Sequence, residues 1–85
     1  MWIIYLIENS YTKELYFGIT NNFKRRLLEH NSGKNASTNR KNGEWILIYA
    51  EAYRDKNDAI LREQRLKQHG RGKQELLKRL SNSKL

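Results

Sequence analysis

Apolar positions dominate two short stretches at the start of the chain. Met1-Trp2-Ile3-Ile4-Tyr5-Leu6-Ile7 and Leu15-Tyr16-Phe17-Gly18-Ile19-Thr20 flank a polar connector, Glu8 to Glu14. Both are strand-length and rich in aromatic and β-branched residues, so they predict a β-hairpin. Alternation along a strand puts Ile3, Tyr5 and Ile7 on one face and Tyr16, Gly18 and Thr20 on one face of the second strand. A register that pairs Tyr5 with Tyr16 sets Gly18 opposite Ile3. Two phenols then stand side by side at the edge of a hollow left by the missing side chain.

The spacing changes after the hairpin. Thr20, Asn21 and Asn22 are good N-cap candidates, so a short helix is expected to start here, in the run Asn21 to His30. At about 100° per residue Phe23 and Leu27 form its inner stripe. Arg26 and His30 share the edge of that stripe and Arg25 points away, so Arg26 is the arginine able to reach inward. Asn31 to Gly43 is nearly devoid of apolar residues and predicts a long basic loop, either functional or disordered. Glu44 to Tyr53 reads as a third strand, apolar through its middle as in a strand covered on both faces, with Trp45 and Tyr49 as core. Asp55 to Asn57 should cap a helix from Asp58 to about Gln68, with Ala59, Ile60 and Leu66 inward and Leu61 off-face. Gly70 and Gly72 are expected to end it. A last helix, Lys73 to about Leu80, carries Leu76, Leu77 and Leu80 on one side. The tail from Ser81 to Leu85 is expected to fray.

This pattern predicts one α+β domain spanning residues 1–85, a three-stranded antiparallel sheet flanked by about three helices. Composition narrows its chemistry. The 85 residues contain no cysteine, which excludes disulfides and thiolate metal sites. With two histidines, any metal is expected to be a hard cation held by oxygen. Seventeen Lys and Arg against nine Asp and Glu give a net charge of +8, spread along the chain, which favours a nucleic-acid partner over a merely solvated basic surface. The opening apolar run is too short for a membrane span and lacks a basic leader, so a cytoplasmic location is expected.

Glu63 is the anomaly. On the helical wheel it falls between Ala59 and Ile60 and close to Leu66, within the inward stripe. A buried charge costs several kcal/mol unless it is paired or bound to a cation. An ion pair with an arginine, or a side chain reaching back to water, would account for it without function. A set of Tyr5, Tyr16, Arg26, His30 and Glu63 instead suits phosphodiester hydrolysis. A cation on Glu63 can polarise a phosphate oxygen, and Arg26 can offset charge developing at phosphorus. A phenol takes a proton from water only if its pKa falls well below its free value of about 10, and neighbouring cations would push it that way.

Tyr5, then Tyr16-Phe17-Gly18, then Arg26 and His30 on a helix, then Glu63 on a later helix, resemble the GIY-YIG nuclease superfamily. The resemblance runs from Trp2 to about Leu80. It is closest to the small single-domain branch, similar to the catalytic domain of the excinuclease subunit, in the run Thr20 to Gly33 and in Glu63-Gln64-Arg65-Leu66-Lys67. Ile3 stands where the family name has glycine, and Phe17 where isoleucine or valine is usual. The resemblance implies metal-dependent endonuclease cleavage of DNA, one strand per active site. Tyr5 would be the favoured water-activating base, with Tyr16 orienting the phosphate or serving as base instead. Arg26 would stabilise the transition state, His30 would hydrogen-bond the tyrosine or relay its proton, and Glu63 would be the sole protein ligand to one Mg²⁺ or Mn²⁺. Gly18 would admit the substrate closely, and Lys34, Arg40 and Lys67 would contact it. A role in DNA repair or in a mobile element fits equally. The rival is a non-catalytic nucleic-acid-binding module of the same fold; a basic protein-interaction domain has the least support. Nothing resembles a separate DNA-binding domain. Targeting is therefore expected from the domain's own loop and helices, from a separate partner, or from a second copy, the chain being a monomer or weak dimer.

Overall fold

The computed structural model describes residues 1–32, 43–68 and 71–83, with the backbone alone at 71–72. The elements run β1 (Trp2–Asn9), β2 (Leu15–Thr20), α1 (Phe23–Asn31), β3 (Trp45–Tyr53), α2 (Lys56–Lys67) and α3 (Arg71–Arg79). The three strands form one antiparallel sheet in the order β2-β1-β3. The fold is α+β, as the periodicities predict.

β1 lies in the middle, flanked on both edges and covered on both faces, which explains its unbroken apolar run. Ile4 and Leu6 turn to one side, where they meet Phe17, Ala59, Leu66 and Leu76 beneath α2 and α3. Tyr5 and Ile7 turn to the other, with buried Trp45 and the half-buried Ile3, Tyr16, Phe23 and Leu27. α1 closes this second face.

The hairpin register differs from the expected one by two residues. Tyr5 pairs with Gly18, Ile7 with Tyr16 and Ile3 with Thr20. The turn is responsible. Pairing continues to Glu8 and Leu15, and Asn9 then closes a tight reversal. Its Oδ1 accepts from the Tyr11 and Thr12 amides at 2.9 Å, and its own amide donates to the Glu14 carbonyl at 2.9 Å. Lys13 takes a φ of 66° there. A two-residue slip keeps every side chain on its face, so the expected face assignments hold while the partners change.

β3 is an edge strand, contrary to the expected cover on both faces. Ile46, Leu47 and Ala50 are exposed, while Ile48, Tyr49 and Tyr53 are half-buried against the core. β3 also carries an irregularity: Leu6 pairs with Tyr49 but Ile7 with Leu47, leaving Ile48 out of the ladder.

The helix starts follow their caps. The Asn22 side chain accepts from the Arg25 amide at 3.2 Å. The Asp55 carboxylate accepts from the amides of Asn57 and Asp58 at 2.7 and 3.3 Å. In α2, Ala59 and Leu66 are buried and Leu61 is exposed, as the wheel predicts. Gly72 does not end α2; it lies in the first turn of α3. Burial of Leu76, with Leu77 and Leu80 beside it, outweighs the poor helix propensity of one glycine. Gly70 lies outside the described residues. So do positions 33–42 of the expected basic loop, with Lys34 and Arg40 among them. At the start of the tail the Ser83 amide donates to the Leu80 carbonyl at 2.9 Å, and positions 84–85 of that tail lie outside the described residues.

Two contacts fasten the entry of β3. The Asn31 side chain, at the end of α1, accepts from the Trp45 amide at 2.7 Å and donates to the Trp45 carbonyl at 3.2 Å. Gly43 has a φ of 83° and sits against the Asn9 side chain, a conformation and a space that suit only glycine. Among the described residues no helix is long and apolar enough to cross a membrane.

Candidate active site

β1 supplies Tyr5, β2 supplies Tyr16 and Gly18, α1 supplies Arg26 and His30, and α2 supplies Glu63 and Lys67. Tyr5 is 1% exposed. Because it pairs with Gly18, the hydroxyl end of its ring fills the space a side chain at Gly18 would take. A Cβ built on Gly18 would overlap the Tyr5 hydroxyl and Cζ and come within 2.9 Å of Cε1. Gly18 therefore makes room for the phenol itself, a use for this glycine that the expected register concealed.

Aromatic edges hold the phenol on its other sides. Phe23 meets Tyr5 edge-on at 5.4 Å between centroids, and His30 does so at 5.6 Å. His30 also meets Tyr16 edge-on at 5.2 Å, so the imidazole bridges two tyrosines whose centroids are 6.5 Å apart. At 2% exposed, His30 lies deeper than the helix-edge position expected of it. The Tyr5 Oη and His30 Nε2 are 2.7 Å apart, a buried hydrogen bond.

The direction of that bond follows from its neighbours. Burial pushes the Tyr5 phenol above its ordinary value; the Arg26 guanidinium beside it pulls the other way without overcoming the burial. Burial, followed by the Arg26 charge, lowers the His30 imidazole below its usual range. At neutral pH the pair is thus a neutral phenol and a neutral imidazole. An arginine only donates, so the phenol oxygen receives from Arg26, and with the neutral imidazole carrying its proton on Nδ1 the phenol gives its own hydrogen to Nε2. The depressed tyrosine pKa that the sequence chemistry called for is absent in the free protein, because desolvation outweighs one adjacent cation.

Arg26 is fixed by an ion pair to Glu29 at 3.1 Å. Its Nε is buried with no hydrogen-bond partner among the described residues. Glu63 has a side chain only 14% exposed, and its charge is felt by the Tyr5 phenol. Among the described residues its ion-pair partner is Lys67, one turn on, at 3.5 Å, rather than an arginine. The Lys67 ammonium also lies 5.8 Å from the centre of the Tyr16 ring. The five expected polar groups thus converge, with Lys67 beside them.

A second cluster escaped the sequence reading. On the opposite face of the sheet Arg62 donates through Nε and one terminal nitrogen to the two carboxylate oxygens of Glu51, both at 2.9 Å. The Tyr49 and Tyr53 hydroxyls donate to the same carboxylate at 2.5 and 2.8 Å. Arg62, followed by these hydroxyls, holds Glu51 down at about 2. The available signal was Tyr49-x-Glu51-x-Tyr53, which places three groups on one strand face. This clamp ties α2 to β3 and so fixes the helix's rotation. Glu63, the next residue, is thereby turned toward β2.

Among the described residues no three His, Cys, Asp or Glu gather as a metal cage. One mostly covered carboxylate with only a half-exposed lysine on it nonetheless suits Mg²⁺ or Mn²⁺. Such ions bind through one or two carboxylates and take their remaining ligands from water and phosphate.

Residues 1–76 match the family model described as the GIY-YIG catalytic domain. The chain is 38% identical over 76 residues to a UPF0213 protein of Vibrio campbellii, covering 89% of this chain and 72% of that one. It is 40% identical over 67 residues to the UPF0213 protein YhbQ of Escherichia coli, covering 79% of this chain and 66% of that one, so it spans just under two thirds of that relative. The solution NMR structure of a UPF0213 protein from Bacillus halodurans aligns with a TM-score of 0.56 at 32% identity, over 94% of this chain and 85% of that one.

Proposed function

The chain belongs to the GIY-YIG catalytic-domain family, a nuclease family, and from that premise we propose that it is a divalent-metal-dependent endonuclease hydrolysing DNA phosphodiester bonds, one strand per active site. The observation that carries this reading is the Tyr5–His30 hydrogen bond at 2.7 Å, buried beside Arg26 and within the field of Glu63. A surface that only bound phosphates would need positive charge alone, not a paired phenol and imidazole with a carboxylate nearby.

Glu63 is the residue that would hold Mg²⁺ or Mn²⁺. When bound, the ion would polarise a phosphate oxygen and steady the leaving oxygen. Tyr5 need not ionise in advance. As a water proton moves to the Tyr5 oxygen, the phenol's own proton passes to His30 Nε2, which already accepts it in a hydrogen bond. The resulting hydroxide attacks phosphorus, the bond to the leaving oxygen breaks, and that oxygen takes a proton from solvent. Tyr16, held against His30, orients the phosphate or exchanges roles with Tyr5. The Arg26 guanidinium, whose Nε has no hydrogen-bond partner among the described residues, stabilises charge on the phosphate oxygens. The net charge of +8 draws in the backbone of the substrate.

The test is nicking of supercoiled plasmid with Mg²⁺ or Mn²⁺. Glu63→Gln and Arg26→Ala should each lose activity by about 100-fold or more. Equal nicking by wild type and variants would overturn the reading. Salt-sensitive binding without cleavage, unaffected by Glu63→Gln, would identify a binding module instead.

A further inference from the structure

We propose that Lys67 is an exchangeable cation of the active site: it neutralises Glu63 in the free protein, gives the carboxylate up to the incoming divalent ion, and then contacts a substrate phosphate next to Tyr16. This rests on the reading of Glu63 as the residue that holds the ion.

Three observations support the exchange. The Lys67 ammonium lies 3.5 Å from Glu63 Oε2, in the position an ion on that oxygen would contest. The partners differ in freedom: the Lys67 side chain is 50% exposed and that of Glu63 only 14%, so the lysine is the one able to leave. An intrahelical pair with one half-exposed member is held weakly, and water compensates the departing ammonium. Finally, Lys67 is the last residue of α2 and reaches over the Tyr16 ring, 5.8 Å from its centre. Released from Glu63, it remains anchored beside a phenol assigned to the phosphate. The helix C-terminus favours a cation there in either state.

The exchange predicts two couplings. Lys67 and the ion compete for one carboxylate, so removing the lysine should strengthen ion binding in the absence of nucleic acid. Lys67 reaches phosphate only once the ion has displaced it, so its contribution to DNA binding should appear only with metal present.

Mn²⁺ binding to the free protein can be followed by electron paramagnetic resonance in wild type, Lys67→Met, Lys24→Met and Glu63→Gln, with folding checked by circular dichroism. Lys67→Met should bind Mn²⁺ about three- to tenfold more tightly than wild type. Lys24→Met removes the same charge from an exposed position on α1 and should stay within about twofold of wild type. A duplex-binding titration then follows, without metal and with Ca²⁺ as a non-cleaving ion. Lys67→Met should weaken DNA binding, and reduce its salt slope by about one, only with Ca²⁺ present. Unchanged or weaker Mn²⁺ binding by Lys67→Met, or a DNA defect equal with and without metal, would overturn the exchange. If Glu63→Gln abolishes Mn²⁺ binding in that case, the endonuclease reading stands. Mn²⁺ binding that survives Glu63→Gln would instead remove the metal site on which both readings depend.

Discussion

Replacing Gly18 with alanine tests the centre of the site with a single methyl group. The added Cβ would overlap the Tyr5 hydroxyl and Cζ and lie 2.9 Å from Cε1, so the phenol must move. It has little room to do so: Phe23 and His30 close on it edge-on, and its oxygen is bonded to His30. Overpacking of this kind costs about 1–3 kcal/mol. Gly18 does not have a positive φ, so alanine recovers about 0.4–1 kcal/mol through the unfolded chain. Loss of the Tyr5–His30 hydrogen bond adds about 1 kcal/mol. The balance is a destabilisation of about 1–3.6 kcal/mol. For a domain of this size that lowers Tm by roughly 4–8 °C per kcal/mol. Thermal and urea unfolding followed by circular dichroism measure it. A double-mutant cycle sharpens the result. The hydroxyl is the atom nearest the new methyl, so Tyr5→Phe should cost less in the Gly18→Ala background than in wild type, by about 0.5 kcal/mol or more. Nicking by Gly18→Ala should fall with the displaced phenol. A Tm within a degree or two of wild type, with no coupling in the cycle, would refute the placement of Tyr5 on the glycine. A destabilised variant with full activity would move the water-activating role to Tyr16.

Two further outcomes follow from contacts away from the reacting groups. Asn31→Ala removes both hydrogen bonds to the Trp45 backbone and should cost about 1–2 kcal/mol in urea unfolding, whereas Asn31→Asp, which keeps the acceptor for the Trp45 amide, should cost less. The Glu51 carboxyl lies at about 2 in the folded protein against 4.5 for a free glutamate. Its native value is depressed, so its stabilisation is complete above pH 4.5 and is lost as pH falls toward 2. The difference bounds that contribution at roughly 3 kcal/mol. Glu51→Gln should be less stable than wild type at pH 7, and the gap should narrow through this acid window; a gap independent of pH would contradict the clamp on Arg62.

The sequence by itself determined the kinds of elements, their caps and their facing. Asn22 and Asp55 start their helices because their side chains accept the first free amides, a local effect. Ala59 and Leu66 mark the inner stripe of α2, and Glu63 is found within it. Alternation placed Tyr5, Tyr16 and Gly18 on one face because it depends only on parity. Parity says nothing of a slip by two, so the seating of Tyr5 on Gly18 waited for the turn that Asn9 closes. Strand order was equally silent in β3, whose apolar run reads as interior although it lies at an edge. The clamp of Arg62 on Glu51 joins residues eleven apart and emerges only when α2 docks on the sheet. The protonation states of Tyr5 and His30 depend most on tertiary structure. Residue type sets their ordinary pKa values, but the shifts come from burial, and burial is produced jointly by β1, β2 and α1.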